Sequence, residues 1–346
     1  MSATTALAPW LLGPLQQALD QVRGHALLVH GQPGVGQFDF GLALASAWLC
    51  EAQDGQGAPL RPACGRCTAC HLIQARAHPD LMVLLPEALE AALGWSAASD
   101  DDGKSEPAGK GRKPSQEIKV EAVRRAVAFS QHTSSRGRAK VILIHPAGRM
   151  NTVSSNTLLK TLEEPPGAVR FILSAVGSVD GILPTIRSRC QMWHLALPDA
   201  EPAVRWLCAQ AEGLSEGDAA LLLAAAGGEP GTALDRLTQG LTASSWRGLP
   251  AQVAQGQAGA MAQWPLPLVI ETLQKLCLDL SAVSVGGQPH YFEAASLPAP
   301  PPLARLLAWH KQLQQVARHA EHPWHATLRL ESLLDQAALA LRRRAA

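Results

Sequence analysis

Two groups of residues in this chain have the spacing of chemical sites. The first is Gly31-Gln32-Pro33-Gly34-Val35-Gly36-Gln37-Phe38, entered from the apolar run Ala26-Leu27-Leu28-Val29-His30. A strand feeding a glycine-rich turn is the setting of a phosphate-binding loop. Such a loop works with Lys, then Ser or Thr, after its last glycine. The Lys neutralises the β- and γ-phosphates and the hydroxyl holds Mg²⁺. Here those places are Gln37 and Phe38. A neutral amide does not balance a triphosphate, and a phenyl ring does not ligate a hard cation. The loop keeps Gly31, Gly34 and Gly36 and has lost its chemistry, so no ATP is expected. Backbone N–H groups at the following helix start would attract a stray anion at most, a remnant and not a cofactor site.

The second group is Cys50, Cys64, Cys67 and Cys70, spaced C-x13-C-x2-C-x2-C. Four thiolates at about 2.3 Å satisfy a tetrahedral Zn²⁺ and leave no open position, so the expected ion is structural rather than catalytic. Two-residue gaps bring neighbouring sulfurs onto one ion. Gly55 and Gly57 let the long gap fold back, and Gly65 lets the chain bend between ligands. His71 adjoins Cys70 and could stand in for a ligand, but four cysteines suffice. Cys190, Cys208 and Cys277 stand alone in apolar settings and read as core residues.

A third residue, Arg189, follows Thr185-Ile186-Arg187-Ser188 at the end of a helical turn that leads into a strand. Its guanidinium is a planar fork matched to phosphate oxygens. From the residues alone it is either a phosphate-seeking group or a surface arginine in a salt bridge.

The elements that must carry these residues alternate. Short apolar strands are expected at 26–30, 81–85, 141–145, 171–175 and about 190–195, with helices at 37–52, 117–130 and 152–164. This is the pattern of a parallel α/β sheet covered on both faces. The helix at 152–164 shows an apolar face at Leu158, Leu159 and Leu162, and Pro165-Pro166 stops it. Residues 87–116 are expected to form a polar, mobile surface insertion. After Pro198 the chain turns to Ala, Leu, Gln and Glu with helical spacing, interrupted by Gly227-Gly228-Glu229-Pro230-Gly231 and by Pro298-Ala299-Pro300-Pro301-Pro302.

Composition narrows the classes. The 346 residues suggest two or three domains, and 47% hydrophobic residues provide real cores. A net charge of +1 gives no global field to recruit nucleic acid. No apolar run reaches membrane-spanning length and no signal peptide is evident, so no membrane partner and a cytoplasmic location are expected. Seven cysteines, four of them clustered, argue for metal rather than disulfides.

The degenerate loop, the four-cysteine insertion, Asn156-Thr157-Leu158-Leu159-Lys160-Thr161-Leu162-Glu163-Glu164-Pro165-Pro166 and Ser188-Arg189-Cys190 occur in that order. On these residues the chain resembles the delta-prime subunits of the bacterial DNA polymerase III clamp loader, a family of AAA+ proteins. The resemblance is strong over 20–198 and moderate over 199–242; beyond that only length and helicity agree. It implies an α/β N-terminal AAA+ domain at 1–198, built on a RecA-like parallel sheet, with a zinc module at 50–70. A small helical lid domain at 199–242 and an all-α C-terminal collar at 243–346 would follow.

The resemblance also implies roles. Arg189 would be an arginine finger acting in trans on the ATP of a neighbouring subunit, a device worth about 10³–10⁵ in rate in the best-studied GTPases. The partners would be the gamma/tau and delta subunits of a heteropentamer, with the sliding clamp and primer-template DNA as cargo. Active relatives carry Asp-Glu where this chain has His145-Pro146, a polar sensor where it has Ser174 or Ala175, and an arginine at about Gly231. With all these groups gone, no intrinsic ATPase is expected. Lys160, Glu163 and Glu164 are either solvated helix-end charges or contacts to a neighbour or DNA. Arg124 and Arg125 are either plain surface charge, one pairing with Glu121, or a DNA-facing pair. Two other readings compete: an active gamma-type clamp-loader ATPase, opposed by Gln37, Phe38, His145 and Pro146, and a zinc-dependent nucleic-acid-binding module, opposed by balanced charge and 4% aromatics.

Overall fold

The computed structural model describes residues 7–53, 60–95, 114–319 and 326–342. The chain divides into two compact units, Met1–Leu197 and Pro198–Ala346.

The first unit runs α1 (Pro9–Gln21), β1 (Ala26–Gly31), α2 (Gln37–Leu49), α3 (Thr68–Gln74), β2 (Leu81–Leu84), α4 (Glu87–Glu90), α5 (Val120–Gln131), β3 (Lys140–Ile144), α6 (Thr152–Glu163), β4 (Val169–Val176), α7 (Pro184–Arg187) and β5 (Gln191–Leu195). The five strands form one parallel sheet in the order β2-β3-β4-β1-β5. Side chains alternate between its faces, as a strand period of two requires. Leu27, Val29, Val141, Leu143 and Ile172 pack with Leu15 and Leu19 of α1 and Phe40 and Leu44 of α2. Ala26, Leu28, Ile142, Ile144, Phe171 and Leu173 pack with Val123 and Ala126 of α5 and Leu158 and Leu162 of α6. Both faces are therefore covered, which is why the strands read as continuous apolar runs. On α6 the buried stripe is Leu158 and Leu162, while Leu159 is only partly buried.

The register of β1 against β4 pairs Val29 with Ser174, and that of β3 against β4 pairs Ile144 with Leu173. The carboxyl ends of β1, β3 and β4 are thus side by side, so the glycine loop, His145 and Ser174 share one edge of the sheet.

Most of the insertion expected at 87–116 lies outside the described residues, as do Gly55 and Gly57. Its first part is not a polar loop. Residues 87–90 form α4, and Trp95 packs edge-on to Phe38 with ring centroids 6.5 Å apart. Ala88, Leu89, Ala91, Ala92, Leu93 and Trp95 give this stretch enough apolar surface to fold back.

The second unit is helical: α8 (Ala200–Gln210), α9 (Glu216–Ala225), α10 (Pro230–Thr238), α11 (Ala243–Ala254), α12 (Leu266–Ser284), α13 (Leu303–Ala317) and α14 (Ala326–Leu341). Ser215 caps α9 through the N–H of Asp218, and Thr242 with Ser245 forms a capping box on α11. One apolar cluster joins Ala203 and Leu207 of α8 to Ala219 and Leu223 of α9 and Ala233 of α10. A larger one joins Leu221 and Leu222 of α9 to α11–α14 around Trp246 and Trp309. Trp246 stacks on Phe292 at 4.5 Å between centroids. Buried Asp279 accepts the backbone N–H groups of His290, Tyr291 and Phe292, each at 2.8 Å, and so fixes the loop after α12.

Candidate functional site

The glycine loop connects β1 to α2 and is closed by its own side chains. Gly36 is the N-cap of α2 with φ of 105°, a conformation other residues rarely adopt. A Cβ there would lie 2.9 Å from Leu11 Cδ1 of α1, and one at Gly31 would lie 2.4 Å from the Leu195 carbonyl oxygen. Both glycines are therefore demanded by packing, whether or not a phosphate is ever bound. The indole Nε1 of Trp10 donates to the Val35 carbonyl at 2.9 Å, so α1 is fastened across the loop.

Gln37 stands in the lysine position and is only 3% exposed. Its amide turns back and donates to the carbonyls of Gly31 and Gln32, each at 2.7 Å. Both donors of the NH₂ group are spent within the loop. Phe38 stands in the magnesium-holding position and is buried. Its ring lies 5.2 Å from that of His145, the first residue after β3, where the resemblance expects an acid. Burial pushes the His145 pKa down to about 4, so the imidazole is neutral near pH 7. Its Nδ1 is hydrogen-bonded to Ser174 Oγ at 2.6 Å. Ser174, rather than Ala175, is the polar group facing this edge; Ala175 lies in the apolar cluster with α5 and α6.

Gly231 lies in the first turn of α10. The cation on that helix is Arg236, turned inward: it donates to the Ala225 carbonyl at 2.9 Å and pairs with Glu271. It is 6% exposed and faces the second unit's own interior.

The four cysteines come together as their spacing predicts. Cys50 follows α2, Cys67 caps α3 and Cys70 lies in its first turn. All four sulfurs lie within 4.8 Å of one another. Cys50 and Cys67 are 3.8 Å apart, and Cys64 and Cys70 are 3.9 Å apart. A tetrahedron with bonds of about 2.3 Å has edges of about 3.8 Å, so this donor set fits zinc. The N–H groups of Cys64, Cys67 and Cys70 donate to the sulfurs of Cys50, Cys64 and Cys67 at 3.3–3.5 Å. Such N–H donors stabilise thiolates. Burial alone pushes the Cys67 thiol up, but the N–H of Cys70 and neighbouring donors outweigh it and bring it to about 6. Burial pushes Cys70 up to about 12. His71 is exposed and outside this sulfur set. Of the solitary cysteines, Cys277 is buried, and Cys190 and Cys208 are partly buried.

Arg189 sits just after α7. Its Nη1 donates to the Thr185 carbonyl at 2.7 Å and to Ser188 Oγ at 3.4 Å, and its Nη2 pairs with Glu163 at the end of α6. Arg124, Arg125, Lys160 and Glu164 are exposed, and among the ion pairs of the described residues none joins Glu121 to either arginine. The sequence reading did not find α1. Its apolar positions at Leu11, Leu15, Ala18 and Leu19 carry the helical period that would have revealed it.

Residues 11–199 match the family model described as DNA polymerase III, delta subunit. The DNA polymerase III subunit delta' of Escherichia coli (strain K12) is 30% identical over 286 residues, covering 77% of this chain and 76% of that protein. The protein of that name in Pseudomonas aeruginosa is 35% identical over 286 residues, covering 75% and 74%. The DNA polymerase III subunit tau of E. coli K12 is 33% identical over 177 residues, 51% of this chain and 22% of that protein. A family model that matches more than half of the chain, and relatives 30% and 35% identical over about three quarters of it, establish that this chain belongs to the DNA polymerase III delta' family.

Proposed function

We propose that this chain is a non-catalytic subunit of the DNA polymerase III clamp loader and that it lends Arg189 to the ATP of a neighbouring subunit. The observation that carries the reading is the closed loop. Gln37 spends its amide on the loop's own carbonyls, Phe38 fills the metal-holding position, and His145 and Ser174 bond to each other. A site so filled lacks the lysine for a triphosphate, the hydroxyl for Mg²⁺ and the Asp-Glu pair after β3 that would orient water. Hydrolysis of ATP by this chain is therefore not expected. What it can still give is a guanidinium, the one phosphate-gripping group of the sequence pattern that it retains.

Family membership supports a place in a ring with gamma/tau and delta subunits, with the sliding clamp and primer-template DNA handled by the whole assembly in the cytoplasm. Residues 199–242 would act as the lid of the first unit and 243–346 as the collar that joins the other subunits. The four cysteines would hold a structural zinc, which would supply folding energy and leave no position open for substrate. The gamma-type ATPase reading shares the cysteine module but is opposed by Gln37, Phe38, His145 and Pro146.

The test is reconstitution. The chain alone should show no Mg²⁺-dependent ATP turnover. Assembled with gamma and delta subunits, clamp and primed DNA, the Arg189→Ala complex should hydrolyse ATP at least about tenfold more slowly than wild type, by the size of finger effects. Turnover by the isolated chain would defeat the non-catalytic reading, and an unchanged rate in the variant complex would defeat the finger.

A further inference from the structure

Glu163 and Arg189 are 26 residues apart in the chain and meet between the end of α6 and the turn after α7. The sequence left Glu163 as one of three charges with no assigned partner. The way it meets Arg189 bears on how the guanidinium can be used. A phosphate is gripped in two-pronged fashion by two neighbouring N–H groups of the guanidinium fork. Only two edges of the fork allow this: Nη1 with Nη2, or Nε with Nη2. Both use an N–H of Nη2, and the Glu163 carboxylate takes one of its two. On the other prong, Nη1 is tied to Thr185 and Ser188 of its own turn, while Nε is buried and has no partner.

The arrangement has a fixed side and a free side. Thr185 and Ser188 belong to the segment that carries Arg189, so they move with it and set where the fork stands. Glu163 belongs to another helix and ends in a half-exposed carboxylate. An exposed pair of this kind is weak and exchangeable. A multiply charged phosphate entering from a neighbour would meet the Glu163 carboxylate as a like charge beside the same prong.

Building on the finger role proposed above, we propose that Glu163 is a positioning residue that parks the Arg189 guanidinium, and that its carboxylate must give way before the arginine can turn to a phosphate in trans. Its carboxylate is a restraint on turnover, held until a neighbour's nucleotide outcompetes it.

The experiment uses the full clamp-loader complex and measures DNA-stimulated ATP hydrolysis. Glu163→Gln keeps the shape of the side chain and removes its charge. It should raise kcat by about two- to five-fold, the range that loss of an exposed ion pair permits. Glu163→Asp keeps the carboxylate and should remain near wild type. In an Arg189→Ala background, Glu163→Gln should change nothing, because it acts only through the arginine. A kcat for Glu163→Gln equal to or below wild type overturns the proposal while leaving the finger intact. An equal change in the Arg189→Ala background also overturns it, since that marks a merely structural role at the helix end. If Arg189→Ala itself has no effect, the finger reading fails and the proposal goes with it.

Discussion

Gln37 replaces a cation with a neutral amide, and the loop survives because the amide supplies hydrogen bonds that the loop can use itself. The same economy holds at His145, where an acid would be expected in an active relative. The imidazole is buried, neutral and bonded to Ser174, so its cost to stability depends on pH. Its pKa is about 4 in the folded chain, against about 6.5 when unfolded. Above about pH 6.5 both states are neutral and nothing is lost. As pH falls towards 4 the unfolded chain binds a proton that the folded one refuses, and stability declines. His145→Asn keeps a hydrogen-bonding side chain that cannot be protonated. Between pH 7 and pH 5 the variant should lose about 2 kcal/mol less stability than wild type in denaturant titrations. An identical loss in both proteins would mean that His145 is not the group responsible. The departures at Gln37 and Phe38 were readable from the spacing of the glycine loop, and that at His145 only through the family resemblance. The His145–Ser174 bond was not readable, because Ser174 is brought near by strand order, which residue type does not encode; the Gln37 bond to Gly31, six residues back, depends on the path of the loop itself.

At the scale of elements, the cysteine module is a small attachment with few apolar anchors. Ile73 of α3 and Leu60 reach the first unit's core, and several further ties are polar. Glu51 pairs with Arg136 and accepts the N–H of Ala69, while Arg138 reaches the carbonyls of Glu51 and Gln53, each at 3.3 Å. A segment with so little core of its own would depend on a metal held by its four cysteines to stay folded. Cys64→Ser with Cys67→Ser should abolish zinc binding, read by elemental analysis, and lower Tm by on the order of 5 °C. The far-ultraviolet spectrum should change little, since neither cysteine touches the sheet's apolar clusters. A wild-type chain without metal, or a variant of unchanged Tm, would remove the structural role. The x2 spacing made the sulfur cluster legible. The Glu51–Arg136 tie was hidden, because its residues are 85 apart and arginines near acids are common in any sequence.

For the whole molecule, the alternation of apolar runs and helical stretches was enough to place all five strands within about two residues. That signal is strong because a doubly covered parallel sheet forces each strand to be apolar on both faces. It fades after Pro198, where helical spacing is nearly continuous and says little about which helix meets which. The structure resolves this through α9, which lends Ala219 and Leu223 to one cluster and Leu221 and Leu222 to another. Among the described residues each unit has apolar clusters of its own, those of the sheet built from Leu11 to Leu195 and those of the helical unit from Ala203 to Leu341. A unit with its own core can fold alone. The fragment 1–197 should therefore be monomeric, bind one zinc and melt in a single cooperative transition, and the fragment 198–346 should be helical. The first fragment carries Arg189 but lacks the region proposed to join the ring. It should fail to restore ATP turnover to gamma and delta subunits that lack the full chain, even at excess. Loss of cooperative melting in the 1–197 fragment would show that its core depends on the second unit. Full stimulation by that fragment would show that the finger needs no collar to reach its neighbour.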